Sequence, residues 1–322
     1  MPTDLLILTA DESPRADIAW TDEVPAWPVM PAGGPQQLAV VLDNGVALAR
    51  CAVWTKGAAT YRGLPTAYIG FLAAANIEAQ KLLLSGVAES LDNAHPGEGQ
   101  RWLLGPLDGS TWYRYRVVVE SGPEPPFPME PQNPDWWMAG FEDARFEIVE
   151  RYWSAAADVE PNTTTDPTWP PGVQIRDFRL ADIGGELDAI YELSVEAFAA
   201  NPLYAPISRE MFRRMYEPIA AQIDPALCLI AETSDAETVG VVFSMPAGGD
   251  RLILKTLAVA DRIRGQGLGS GLLNEVGRRA ARRGFTRLVF ALMHEANASS
   301  HIVAKAAEPC RRYALFGRVI GQ

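Results

Sequence analysis

Apolar and polar positions change their period twice between Leu252 and Asn297. LILKTLAV reads as a buried strand. A polar, glycine-rich turn follows, Arg264-Gly265-Gln266-Gly267-Leu268-Gly269. Apolar residues then recur at Leu268, Leu272, Leu273 and Val276, a helical spacing that runs to Gly284. FTRLVFALMHEAN returns to a strand. Upstream, VQIRDF from Val173 alternates as a strand. Leu187, Ile190, Leu193 and Phe198 mark one helix, and Ser208 caps a second, REMFRRMYEPIAAQ. Strands are expected over 226–232, 238–245 and 251–259, and CRRYALFGRVI closes the chain as another.

The first half repeats this order with weaker signals. Gln37 to Leu48, with Asp43-Asn44-Gly45 at its centre, predicts a hairpin, and the strand runs on through Lys56. Ala67–Ala73 predicts a strand. Asn76 opens a helix with apolar positions Leu82, Leu83, Val87 and Leu91. Arg101–Leu104 and Tyr113–Val119 read as strands around a turn. Asn133-Pro134 starts a short helix carrying Trp136, Trp137, Met138 and Phe141, and Phe146–Tyr152 reads as a strand. Paired tryptophans suit a core or interface, or the wall of a pocket. Residues 1–36 predict no element. The proline-rich run 155–172 predicts a linker between a first domain, 1–155, and a second, 173–322, with 156–172 as the connection.

The glycine turn carries the chemistry. Glycines relieve the steric cost of left-handed backbone, and a helix that starts there presents amide N–H groups without partners. Those donors and the positive end of the helix dipole suit an anion. Neither of two common phosphate motifs fits. No Gly-Lys-Ser/Thr follows, and the spacing Gly265-x-Gly267-x-Gly269 is too tight for a dinucleotide fingerprint.

Arg-x-x-Gly-x-Gly at Arg264, Gly267 and Gly269, set shortly after Leu257-Ala258-Val259, resembles the acetyl-CoA-binding motif of the GNAT superfamily of N-acetyltransferases. The similarity covers residues 173 to about 308. It implies an α/β (α+β) fold, a mixed and mostly antiparallel sheet flanked by helices. The repeated element order extends this to two tandem GNAT-like domains, the first degenerate. The turn after the first domain's AYIGFLA is Ala-Ala-Asn-Ile-Glu, with no glycine, and is not expected to hold pyrophosphate.

The resemblance further implies that Arg264, Gly265, Gln266, Gly267, Leu268, Gly269 and Ser270 hold the pyrophosphate of acetyl-CoA. Leu257, Ala258 and Val259 would pair with its pantetheine arm, an amide near Val259 would polarise the thioester carbonyl, and Asn297 would contact the pantetheine or order the next helix. Arg262, or one of Arg278, Arg279, Arg282 and Arg283, could meet the 3′-phosphate. The alternative for the four helix arginines is a solvated face complementing the helix dipole.

Two family features are missing. Ala304 stands where a tyrosine would protonate the departing thiolate, and Lys255-Thr256 where a carboxylate base is common. His294 and Glu295 are then the candidate bases and Tyr313 the nearest substitute acid. Each has a structural alternative: a satisfied polar residue, a helix cap and a buried packing tyrosine. Tyr204 and Glu196 could meet the acceptor or simply pack and solvate the domain. The expected function is direct transfer of an acetyl group from acetyl-CoA to the primary amine of a small molecule or peptide. The alternative is a GNAT-fold acyl-CoA sensor or scaffold without turnover.

Composition narrows this picture. The formal net charge of −12 argues against nucleic acid and anionic membranes as partners. The acidic excess falls before about residue 160, and the remainder is balanced. An acidic first half favours a cationic or polyamine-like acceptor, or serves solubility. Cys51, Cys228 and Cys310 form no Cys-x-x-Cys pair, and His95, His294 and His301 lie at no ligand spacing with them, so no metal site or disulfide framework is expected. The N-terminal sequence resembles no signal peptide and no run is long enough to span a membrane, which predicts a cytoplasmic protein. A homodimer is left open.

Overall fold

The computed structural model describes residues 4–10, 17–30, 33–94, 96–159 and 167–321. His95 and linker residues 160–166 lie outside them.

In the first half, β1 (Asp4–Thr9), β2 (Gln37–Asp43), β3 (Val46–Trp54) and β4 (Thr66–Ala74) form an antiparallel run. Asn44 and Gly45 turn the predicted hairpin with positive φ angles of 50° and 80°. β1 was not expected; its six residues make sense only against β2, which hides its apolar side. Helix α1 (Ile77–Ala94) leads to β5 (Arg101–Gly105), parallel to β4. Asn76 caps α1 as expected, accepting from the Ala79 amide at 2.9 Å. Leu83, Leu84, Val87 and Leu91 face the core while Leu82 is 37% exposed, so the buried stripe sits slightly rotated from the predicted one. β6 (Val117–Ser121), α2 (Trp137–Asp143) and β7 (Glu147–Asp158) complete this half.

The second half repeats the order. β8 (Val173–Asp177), α3 (Ile183–Phe198), α4 (Arg209–Ala220), β9 (Leu229–Thr233), β10 (Thr238–Pro246) and β11 (Arg251–Val259) lead to α5 (Leu268–Arg282). β12 (Arg287–His294), α6 (Ala298–Val303) and β13 (Glu308–Ile320) follow, with β12 parallel to β11. Each half thus carries one strand–helix–strand unit whose strands are parallel.

The two halves are joined within the sheet. They share one sheet in the order β1-β2-β3-β4-β5-β13-β7-β12-β11-β10-β9-β8, and β6 pairs with β13. The closing strands are exchanged. β13, from the second half, pairs with β5, and β7, from the first, pairs with β12. The two also pair with each other along most of their length. Burial follows the exchange. Phe316 of β13 stacks on Phe141 of α2 with ring centroids 4.7 Å apart, inside the first core. Trp153 of β7 lies in the second core and donates to Ser300 Oγ at 2.7 Å. Such aromatic burial dominates core energetics, so each core depends on a strand of the other half. Trp137 is buried and Trp136 packs against the same first core.

Among the described residues no helix is long and apolar enough to cross a membrane.

Candidate functional site

The parallel strands β11 and β12 stay paired from Arg251↔Arg287 to Leu254↔Phe290 and then part. From Lys255 onward β11 has no partner on its β12 side among the described residues. A bulge sits at the point of parting: Ser244 opposes Leu254 and Phe243 opposes Thr256, so Lys255 is the extra residue. A bulge of this kind re-aims a side chain. β12 has its own irregularity between Phe290 and Met293. Leu292, at φ 57°, is held there by its amide donating to Ser154 Oγ at 2.9 Å and its carbonyl accepting from Arg116 Nη1 at 3.0 Å.

Two cavities open at this splay. One, of about 670 Å³, lies over the glycine turn. Gly265 and Gly267 have φ angles of 82° and 85°, the left-handed region where a side chain is strained. α1, α3 and α4 each cap their first turn with a side-chain oxygen, from Asn76, Asp182 and Ser208. Among the described residues no side chain caps α5. Its first amides, which have no intrahelical acceptor, therefore face the cavity unclaimed. Leu257, Ala258, Val259, Arg264, Gly265, Gly267, Leu268, Gly269, Ser270 and Asn297 all line it. Gln266 does not; it is exposed beside the turn. Arg264 pairs with Asp261 at 2.5 Å, and Glu196 accepts from the Asp261 amide at 2.9 Å. Glu196 thus anchors the turn.

Three of the four candidate arginines at the end of α5 are engaged elsewhere. Arg278 and Arg279 pair with Glu275, Arg279 also with Asp177, and Arg283 with Asp224. They complement the C-terminal end of α5, far along the helix from the glycine turn. Arg262 pairs with Glu237 at 2.6 Å.

The second cavity, of about 480 Å³, lies between the halves. Its walls include Tyr204, Tyr216, Lys255, Thr256 and Leu273 from the second half, and Thr111–Arg116, Glu130 and Tyr152 from the first. The segment 113–116, which alternates like a strand, is a loop here. Arg116 takes φ 73°, and its guanidinium lies 3.8 Å and 4.2 Å from the ring centres of Tyr115 and Tyr152. Only 117–121 joins the sheet. Trp112 reaches across to the second half and donates to the Ala205 carbonyl at 3.1 Å.

His294 is the one titratable side chain among the described residues that lines both cavities. Its Nδ1 accepts from the Ala296 amide at 3.1 Å, which places the ring proton on Nε2, donated to Glu150 at 2.8 Å. Burial pushes the Glu150 carboxyl up, but hydrogen bonds from His294 and Tyr61 and the Arg62 charge outweigh it and hold the carboxyl below its usual range. Sequence reasoning missed Glu150. It lies 144 residues from His294 and arrives on the exchanged strand β7.

Glu295 is not brought to either cavity. It is about half exposed and its nearest charge is Arg312, at 4.0 Å. Tyr313 is buried behind the cavity wall. Its hydroxyl donates to Glu130 and lies 3.0 Å from Ser154 Oγ, and burial followed by the Glu130 contact raises its pKa well beyond the usual tyrosine range. Tyr204 does line the cavity. Its hydroxyl is buried without a hydrogen-bond partner among the described residues, and burial pushes it up to about 12. Ala304 ends α6.

The first half has the same splay, but filled. Gly70 is packed so closely that a Cβ there would fall 2.4 Å from the Leu107 carbonyl oxygen. Phe71, at φ 46°, donates its amide to Asp108 at 2.6 Å, and its carbonyl accepts from Arg50. No room for an extended ligand arm remains there. Among the described residues no group of three or more His, Cys, Asp or Glu side chains is placed to hold a metal ion.

Residues 187–306 match the model of the acetyltransferase (GNAT) family. No curated protein matches the sequence. Among solved structures, a GCN5-related N-acetyltransferase from Sphaerobacter thermophilus is similar at a TM-score of 0.53 and 19% identity, over 88% of this chain and 80% of that one. A tandem GNAT protein from the clavulanic acid biosynthesis pathway is similar at a TM-score of 0.51 and 15% identity, over 89% and 83% of the two chains. At these identities the likeness is one of fold, and it spans both halves.

Proposed function

We propose, from the match of residues 187–306 to the acetyltransferase (GNAT) family model, that the chain transfers an acetyl group from acetyl-CoA to the primary amine of a small molecule or peptide. The observation that carries this reading is the uncapped start of α5. Two left-handed glycines aim its free amides into a cavity that continues along the unpaired edge of β11. That arrangement suits a pyrophosphate at one end and a pantetheine arm along Lys255–Val259. Acetyl-CoA supplies the activated acyl group.

The protein's part is to position the amine and manage its proton. The 480 Å³ cavity is of a size for a small acceptor and meets the other at His294 and Asn297. There Glu150 orients the imidazole, and Nδ1 is its basic atom. Nδ1 takes the acceptor's proton when the Ala296 amide turns aside. Direct attack agrees with the cysteines: all three are buried, and burial raises each thiol above its ordinary pKa, so none is primed as a nucleophile.

The second reading, an acyl-CoA sensor without turnover, is favoured by Ala304, which offers no hydroxyl to the departing thiolate. Calorimetric titration with acetyl-CoA and CoA, followed by thiol release over a panel of amines, separates the two. Binding with turnover supports the enzyme and binding alone the sensor. Absence of binding overturns both.

A further inference from the structure

We propose that the acceptor of this site carries an anionic group, a carboxylate or a phosphate, which the side chains of Lys255 and Arg116 hold together in the cavity between the halves. The inference deepens the N-acetyltransferase reading and rests on it.

The argument starts from uncompensated charge. Arg116 is 7% exposed, stacked over Tyr115 and Tyr152, and among the described residues its guanidinium's one hydrogen bond goes to the Leu292 carbonyl. Lys255 is the bulged residue of β11. Among the described residues neither pairs with a carboxylate. The two cations are also near neighbours. Burial first, and the Arg116 charge second, lower the Lys255 ammonium to about 8. The acid in the same wall, Glu130, is already committed. It accepts from Tyr313, from Arg311 at 3.3 Å and from the Phe127 amide at 3.2 Å. Arg114, on the rim, lies 3.8 Å from Asp108.

Two like charges without a counter-ion, one buried and one half-buried, are costly, and a ligand anion between them removes that cost. The partnerless hydroxyl of Tyr204 gives the same cavity a further donor for such a group. CoA does not supply this anion if its pyrophosphate sits at the glycine turn, beyond the His294 junction. The acidic character of the first half favours a cationic acceptor, but that charge is spread over the half, whereas the cavity wall presents cations. The same cations lower the pKa of a nearby amine and so favour its neutral, attacking form.

The test compares four amines by thiol release from acetyl-CoA: 4-aminobutyrate, phosphoethanolamine, butane-1,4-diamine and butylamine. One charge-assisted contact predicts a kcat/KM at least ~10-fold higher for an anionic amine than for the diamine. The preference should collapse in Lys255→Met and survive in Lys255→Arg; Lys255→Gln replaces the methionine variant if that does not fold. A lead for 4-aminobutyrate assigns a carboxylate, and one for phosphoethanolamine a phosphate. Preference for the diamine or butylamine, or an anionic preference unchanged in Lys255→Met, overturns the proposal. If no amine turns over, the enzyme reading fails separately. Calorimetric binding of the two anionic amines to the CoA-loaded protein then decides: binding lost in Lys255→Met supports the anion site, and no binding, or binding unchanged in that variant, overturns it.

Discussion

Replacing Gly267 by alanine separates two roles a glycine can have at a phosphate cradle: permitting a left-handed backbone, or leaving room. At Gly267 the first applies within the protein. Its φ is 85°, and a Cβ there would meet nothing within 4 Å. The cost of Gly267→Ala is therefore conformational, about 1–2 kcal/mol. The free variant can escape that strain by turning the residue out of the left-handed region, which disperses the amides that point at the ligand. Binding must restore the strain, so the affinity for CoA should fall by about 5- to 30-fold, the strain converted at ~1.4 kcal/mol per decade. Gly269 is the internal control. Its φ is not positive, and a Cβ would lie 3.5 Å from Ile302 Cδ1, an ordinary contact. Gly269→Ala also gains helix propensity, so its effect on CoA affinity should stay within about 3-fold, well under the cost of a decade. Calorimetry with CoA on the two variants measures both. If Gly267→Ala leaves the affinity unchanged, or if Gly269→Ala is the more damaging, backbone handedness is not what these glycines supply, and the reasoning fails.

Four further outcomes follow from the structure. Tyr313→Phe should lower the denaturant midpoint, by about 1–3 kcal/mol in stability for a lost buried hydrogen bond to a charged group, with kcat reduced less than ~3-fold on the scale where 1.4 kcal/mol is tenfold; a large loss of kcat at unchanged stability would make Tyr313 the acid. Glu150→Gln should reduce kcat and leave CoA binding intact. Because the folded-state pKa of Glu150 lies below its ordinary value of 4.5, its stabilisation is present above that value and is lost as the pH falls through the folded one, so the variant should show a flatter acid limb in chemical denaturation. Lys255 has the opposite signature. Its pKa is lowered from 10.5 to about 8, so stability should rise between pH 8 and 10.5 as the unfolded chain holds the extra proton, and Lys255→Met should abolish that rise. Finally, a protease site introduced between Val159 and Pro167 should yield a nicked protein that elutes as one species in size exclusion, because β7 and β13 lie in each other's halves; separation of the fragments would contradict the exchange.

The sequence displayed what depends on local spacing. The strand, glycine turn and helix around Gly267 fall within a few residues of their predicted bounds, because φ preference, capping and period are properties of short segments. The caps at Asn76 and Ser208 were legible for the same reason. Segment 113–116 was misread because YRYR alternates like a strand while its side chains face an inter-half cavity rather than a sheet. Glu150 was invisible because its partner is 144 residues away. The exchange of β7 and β13 leaves no mark in pattern either. A strand with an apolar face reads the same whichever core it enters, and only topology decides which side of β5 or β12 it fills.

That exchange also explains how a half without a ligand cradle contributes to the site. Its own splay is closed by Asp108, Arg50 and the chain at Leu107, so that splay offers no second cradle. Yet this half delivers three things the second half lacks. β7 brings Glu150 to His294 and Tyr152 to the cavity wall, and the loop before β6 brings Arg116 to the cavity that Lys255 lines. If the acceptor is an anionic amine, CoA binding depends mainly on the second half, and acceptor recognition on residues from both. Substitutions at Arg116 or Tyr152 should then move the acceptor KM while leaving CoA affinity in place, a split that a first half serving only as scaffold would not produce.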